Sequence, residues 1–434
     1  MKRIIALMLV VVLPAVFAGP VWGQETTEKK DKGEPKVITL GHEDLELTGE
    51  TKQLYDLFFQ IADPRPSDSK KNRLQQAQLL LSQAASIATD EGQKNYLQVL
   101  SEDLGKKDFS ASNGLWMGLK DRTLDFFVKF RRKQRRIDPY IVYYDNEATK
   151  TVDSFRNGAD RMLDLLNVKR EYIDNLSRFI APIQVGRLLF APKIRRFALM
   201  VPAPPVKEKR PGFKLVVFRN VLDGYFKHVL KPTAKQLLVG AWAAAVDEEA
   251  FFRYVVLQKI GHYIGPVLVA GKEEDEVQTV SAAIGKTMAP LELIKSHVLA
   301  VRCVPFLVED KLIPKEDEKN LLALYVTYLV DKLRHAPSHK GNLPYLAQFN
   351  FLLEKGAIGF DIQKKKFYID IPGMKSVLSQ MSVDVLAMIQ KGKAKAVKKF
   401  FDRYKEVPSE LEGVLTALSR MELQVEMVTS GPSD

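Results

Sequence analysis

The chain has 434 residues, with 65 Lys and Arg against 53 Asp and Glu, six His and one Cys. At roughly 100–200 residues per domain this length corresponds to two or three domains or one large two-lobed unit, and 46% hydrophobic with 27% charged residues excludes a disordered or collagen-like chain. The single cysteine, Cys303, excludes an intrachain disulfide and a cysteine-cage zinc site, while the formal charge of +12 permits an anionic partner without naming one.

Met1-Lys2-Arg3 and the apolar run Ile4 to Ala18 have the form of a signal peptide. The run is short of the ~20 apolar residues that a membrane-spanning helix needs. Ala18 and Gly23 offer two cleavage points, before Gly19 or before Gln24, so residues 1–23 are expected to be removed. Cleavage takes away Lys2 and Arg3 and no acid, lowering the charge from +12 to +10. The mature protein is expected in the periplasm or secreted, and not transmembrane, since no later stretch is long and apolar enough to span a bilayer. Residues 24–50 are polar and read as a flexible leader.

Helical spacing begins near Lys52 and is clearest in the stripe Leu79, Leu80, Leu81, Ala84, Ala85 and Ile87. A second helical stretch follows from Leu97. PYIVYYD (139–145) is aromatic and β-branched and predicts a strand, as do FALMVPAPPV (197–206) and KLVVFRNV (214–221), with KEKRPG (207–212) as a turn. VDSFRNGADRMLDLLNV (152–168) returns to helical spacing. From Tyr225 to about Ile358 the pattern is helical, broken at Gly240, Gly271, Pro314 and 337–341. FDIQKKKFYIDI (360–371) alternates around a lysine turn and predicts a hairpin, followed by two further helices split by Pro408. The expected fold is mainly α (α+β) and two-lobed. A mixed N-terminal lobe with a small β-core (51–220) precedes a helical lobe (221–434), with a cleft between them.

Several collinear segments carry a resemblance to a known family. They are NYLQVLSEDL with SNGLWMGLKD (95–121), PYIVYYD, KLVVFRNVLDGYFKHVLKP (214–232), FFRYVVLQKIGHYIGP (251–266), PFLVEDKLIP (305–314), LYVTYL (324–329) and QFNFLLEKGAI (348–358). Together they resemble the dipeptidyl peptidase III family of zinc metallopeptidases in its shorter bacterial form, over roughly residues 52 to 425. The resemblance implies a two-lobed fold, a zinc-bearing helical lobe and a wide peptide cleft.

It also implies a metal site that this chain has lost. The family's His-Glu-x-x-His helix places two zinc ligands on one face and a glutamate that activates water. The matching stretch is Gln258-Lys259-Ile260-Gly261-His262, which keeps only the second histidine. Gln258 stands in the first ligand position and Lys259 in that of the general base. An ammonium ~5 Å from a divalent ion opposes it by about 6 kcal/mol at an effective dielectric constant of ~20. The family's Glu-Glu-x-Arg/Lys-Ala-Asp/Glu run corresponds to Glu292-Leu293-Ile294-Lys295-Ser296-His297, and the ligating glutamate falls on Leu293. A catalytic zinc takes three protein ligands and an open water position, so no cofactor is expected unless the site is rebuilt. A rebuilt zinc site would draw on His262, His297 and Glu292. Glu292 and Leu293 point ~100° apart on a helix, so a hydrogen-bonded histidine is the simpler reading of His262 and His297. His339 lies nearest to the family's oxyanion-stabilising histidine, two residues too far from Gln348.

The run Lys129 to Arg136 holds six positive charges in eight residues. Arg131, Arg132, Arg135 and Arg136 offer a candidate surface for anionic envelope material or simply a solvated face; nucleic acid does not suit an exported chain. The lysines of 390–399 fit an exposed helix face. Trp116, Tyr143 and Tyr144 suit either a peptide cleft or the core. No phosphate-binding glycine loop, Gly-x-Ser-x-Gly elbow or Cys/His nucleophile pair occurs. Three functions follow as expectations. The first is an exported, inactive peptidase homologue that binds peptide or protein in its cleft. The second is an active metallopeptidase with a relocated metal, and the third an envelope scaffold using the basic surface.

Overall fold

The computed structural model describes residues 36–40, 45–63, 70–120, 122–131, 136–166, 181–192, 197–201, 214–270, 277–421 and 425–429. The expected signal peptide lies outside them. Within the stretch read as a flexible leader, β1 (Lys36–Leu40) is a strand, paired in parallel with β11 (Val425–Thr429).

Four helices open the N-terminal lobe: α1 (Gly49–Ala62), α2 (Lys70–Ile87), α3 (Glu91–Lys106) and α4 (Ser110–Gly118). In α1, Leu54, Phe58 and Ile61 recur at helical spacing and are buried with Tyr55. In α2, Leu80, Leu81, Ala84 and Ala85 are buried but Leu79, placed on the apolar stripe by sequence, is 60% exposed. The α3 helix starts six residues earlier than Leu97 because the Asp90 carboxylate caps it, accepting from Gln93 N at 2.6 Å.

These helices cover a five-stranded mixed sheet of β2 (Leu124–Arg131), β3 (Arg136–Tyr144), β4 (Ile183–Phe190), β5 (Ala198–Val201) and β6 (Lys214–Phe218), in the order β2-β3-β4-β6-β5. Only β4 and β6 run parallel. Phe58 of α1 stacks on Phe126 of β2 at 5.0 Å, and Tyr96 of α3 donates to Phe126 O at 2.8 Å. Sequence patterning anticipates β3, β5 and β6. It extends β6 too far, since Arg219 already begins a helix, and it passes over β2 and β4. The helices α5 (Asn146–Asn157) and α6 (Ala159–Asp164) sit between β3 and β4.

The second lobe is helical: α7 (Arg219–Tyr225), a π-helical turn (Phe226–Leu230), α8 (Lys231–Leu237), α9 (Gly240–Ala243) and α10 (Glu248–Tyr263). At the break expected at Gly271 stands a short hairpin, β7 (Leu268–Ala270) with β8 (Val277–Thr279), that the sequence reading does not anticipate. Then come α11 (Val280–Ile284), α12 (Met288–Arg302), α13 (Val304–Glu309), α14 (Asp317–Leu333) and α15 (Leu343–Glu354). The expected hairpin forms as β9 (Ile358–Asp361) and β10 (Lys366–Ile369), and three helices rather than two follow: α16 (Ile371–Lys391), α17 (Ala394–Arg403) and α18 (Ser409–Arg420). Burial of α10 and α14 on nearly every side makes them the centre of this lobe. The lobes meet where Arg161 of α6 pairs with Glu309 at 3.0 Å and with Asp310, and lies over Phe306. Among the described residues no helix is long and apolar enough to cross a membrane.

Candidate functional site

Two helices, α10 and α12, carry the positions that the sequence singles out. Asp247 caps α10, its carboxylate accepting from Ala250 N at 2.8 Å. Near the other end, Gly261 lets α12 come into backbone contact. A Cβ at Gly261 would stand 2.9 Å from Ser296 O and 3.2 Å from Ser296 Cα. Glycine is therefore required here by close approach. The contact brings Gln258 and His262 against Glu292, Lys295 and Ser296, all of them buried.

Several of their polar atoms contact one another. Gln258 Nε2 lies 2.8 Å from His262 Nε2 and 3.4 Å from Ser296 Oγ, and Ser296 Oγ donates to Leu293 O at 2.9 Å. An amide NH2 can only donate, so His262 Nε2 accepts and the ring proton sits on Nδ1. That nitrogen faces Glu292 Oε1 at 3.6 Å. The same Glu292 oxygen pairs with Lys295 Nζ at 2.7 Å, and Lys295 also donates to Ile264 O, just beyond the C-terminus of α10.

Burial, followed by the charges of Lys259 and Lys295, holds the His262 imidazole well below its ordinary value and therefore neutral. Glu292 is pushed up to about 7 by burial, against the pull of the Lys295 ammonium. Lys259 itself is half-buried on the same helix. The half-buried Leu293 side chain packs against the apolar core.

His297 belongs to a neighbouring aromatic cluster. Its Nδ1 lies 2.8 Å from Tyr254 OH, and its ring packs edge-on or tilted against Tyr254, Tyr328 and Tyr345. Burial and the adjacent His262 lower its pKa. Thus His262 and Glu292 come together, with His297 next to them but hydrogen-bonded elsewhere. Among the described residues no group of three His, Cys, Asp or Glu side chains is placed to hold a metal ion. His339 is exposed on the α14–α15 loop, its Nδ1 accepting from Gly341 N at 3.1 Å. His335 is exposed on the same loop. Burial pushes the Cys303 thiol up, consistent with an inert residue. The side chains of Arg131, Arg132, Arg135 and Arg136 lie outside the described residues.

Two buried charged clusters escape the sequence reading. In the N-terminal lobe, Asp125 Oδ2 accepts from Trp116 Nε1 (2.8 Å), Arg122 Nη2 (2.6 Å) and Tyr144 OH (3.0 Å), while Lys214 Nζ donates to Trp116 O. Trp116 and Tyr144 are therefore core residues, and Tyr143 is half-buried. In the helical lobe, Asp331 pairs with Lys332 and Arg334, each at 3.1 Å, and accepts from Tyr225 OH. The signal was there in LVDKLR (329–334), where three charges follow the largely apolar run 321–330.

No family model matches the chain. Among solved structures, that of dipeptidyl peptidase III from Caldithrix abyssi is similar with a TM-score of 0.76 at 22% identity, covering 83% of this chain and 71% of that one. The dipeptidyl peptidase III of Corallococcus sp. strain EGB gives 0.67 at 20% identity, covering 83% and 68%. Nudix hydrolase 3 of Arabidopsis thaliana is 22% identical over 400 residues, 89% of this chain, which spans about half (51%) of that protein's length. The chain thus has the two-lobed α+β fold of the dipeptidyl peptidase III structures.

Proposed function

We propose that the protein is a catalytically inactive relative of the dipeptidyl peptidase III enzymes, exported after loss of residues 1–23, and that it binds peptide or protein without cutting it. One observation carries this reading. Gln258 donates an amide hydrogen at 2.8 Å to His262 Nε2, using the lone pair that a metal would need. A catalytic zinc requires three protein ligands and a polarised water. Here the donor set does not fit one: a single imidazole is engaged by an amide, Leu293 offers no side-chain donor, and the Lys259 ammonium cannot accept a proton from water. The buried contacts of His262 with Gln258 and Glu292 suit a residue kept for structure.

The fold similarity supports a peptide as the ligand class, and the experiment that tests it separates binding from cleavage. The full chain is mixed with a peptide pool and the retained fraction analysed by mass spectrometry, with a dipeptidyl-naphthylamide assay alongside. Retained peptides of unchanged mass and no chromophore release are expected. Chelator-sensitive turnover would instead establish a metallopeptidase with a relocated metal, for which His262, His297 and Glu292 are the candidate ligands. Amino-terminal sequencing of protein from the envelope fraction should begin at Gly19 or Gln24.

A further inference from the structure

The β9–β10 hairpin has features that peptide binding does not use. Its inner side is anchored: Phe367 is buried against Phe349 at 5.2 Å and Phe360 at 4.9 Å, and Val239 N donates to Phe367 O at 2.9 Å. That last bond fastens the hairpin to the end of α8. Strand alternation then turns Lys366 and Tyr368 to the opposite, outer side.

At the tip, Ile362 is 80% exposed, and further along the hairpin Tyr368, opposite Gly359, is 45% exposed; they are two of the four large hydrophobic side chains that are exposed among the described residues. Lysines surround them. Lys364 and Lys365 are exposed, and Lys366 Nζ donates to Lys235 O at 2.7 Å. Lys231 and Lys235 are exposed one α-helical turn apart on α8, with exposed Lys227 one turn earlier. In the turn, Asp361 pairs with Lys364 at 3.2 Å, leaving the surface strongly positive.

We propose that the hairpin tip and the lysine face of α8 form a peripheral docking surface for an anionic lipid bilayer. Ile362 enters the headgroup–acyl boundary, Tyr368 lies at its level, and the lysines face the headgroups. A hydrated polyanion would satisfy the lysines but gives an isoleucine held out on a rigid tip no reason to be there. Leaving water for the acyl boundary does, and an amphipathic tyrosine ring suits that interface. The inference is independent of the peptidase reading.

The test is sedimentation of the full chain with phosphatidylcholine vesicles, with and without phosphatidylglycerol. Binding is expected only with the anionic lipid, and should weaken as salt is raised. Ile362→Ser should weaken it about ten-fold or more, and Lys364→Gln or Lys365→Gln about five-fold each. An Ile362→Trp variant should shift its emission to the blue on binding. Absence of binding to phosphatidylglycerol vesicles at low salt would overturn the proposal. So would undiminished binding by Ile362→Ser with full competition by dextran sulfate, which would point to a soluble polyanion. Loss of binding only on neutralising Arg131, Arg132, Arg135 and Arg136 would overturn it too, by moving the surface to the other lobe.

Discussion

At the scale of single residues, the centre of the site is His262, buried against Gln258 and Glu292. His262 keeps its place on α10, and the Gln258 amide one turn away engages it at 2.8 Å. Removing that amide with Gln258→Ala would leave a buried imidazole nitrogen without its donor, at a cost of about 1–3 kcal/mol, read as a lower urea midpoint. The site also has a pH signature. His262 has its pKa lowered from 6.5, so the unfolded chain binds the proton that the fold refuses, and stability falls as pH drops below about 6.5. Glu292 has its pKa raised from 4.5 to about 7, so the fold holds a proton that the unfolded chain releases, and stability rises as pH falls from about 7 toward 4.5. Between 4.5 and 6.5 the two effects oppose each other. Glu292→Gln removes the second, and its stability should fall more steeply than the wild type's over that interval in urea titrations. Parallel curves would show that Glu292 does not titrate as its burial requires.

At the scale of elements, the site depends on how closely α10 and α12 approach. A Cβ at residue 261 would meet backbone atoms of Ser296, which cannot swing aside as a flexible side chain would. Gly261→Ala should therefore cost about 1–3 kcal/mol as the helices are forced apart, and should disturb the Gln258–His262 hydrogen bond. An alanine variant as stable as the wild type would refute the close packing. Much of this was legible in advance because spacing on a helix is local information. Gln258 and His262 fall on one face by sequence alone, and FDIQKKKFYIDI declares its own hairpin. What escaped was decided by partners distant in sequence. The strand β4 is buried at six of its eight positions, Gln184 and Arg187 being half-buried, so it shows no clean alternation of exposed and buried residues. Leu79 looks like core until α2 is packed and its face proves to be solvated. Asp125 and Asp331 look like surface acids until Tyr144 and Tyr225, 19 and 106 residues away, are folded against them.

At the scale of the whole molecule, the two-lobed fold of the dipeptidyl peptidase III structures surrounds a site of buried, closely packed polar side chains. Lobe contacts such as Arg161 with Glu309 and Asp310 involve none of the α10–α12 site residues. The positions that the resemblance singles out lie where α10 and α12 pack together, with Gln258 Nε2 2.8 Å from His262 Nε2. The most direct test is the zinc content of the purified full chain, measured by elemental analysis beside the triple variant Gln258→His, Lys259→Glu, Leu293→Glu. The account predicts background zinc in the wild type and zinc bound by the variant. Equimolar zinc retained by the wild type would contradict it.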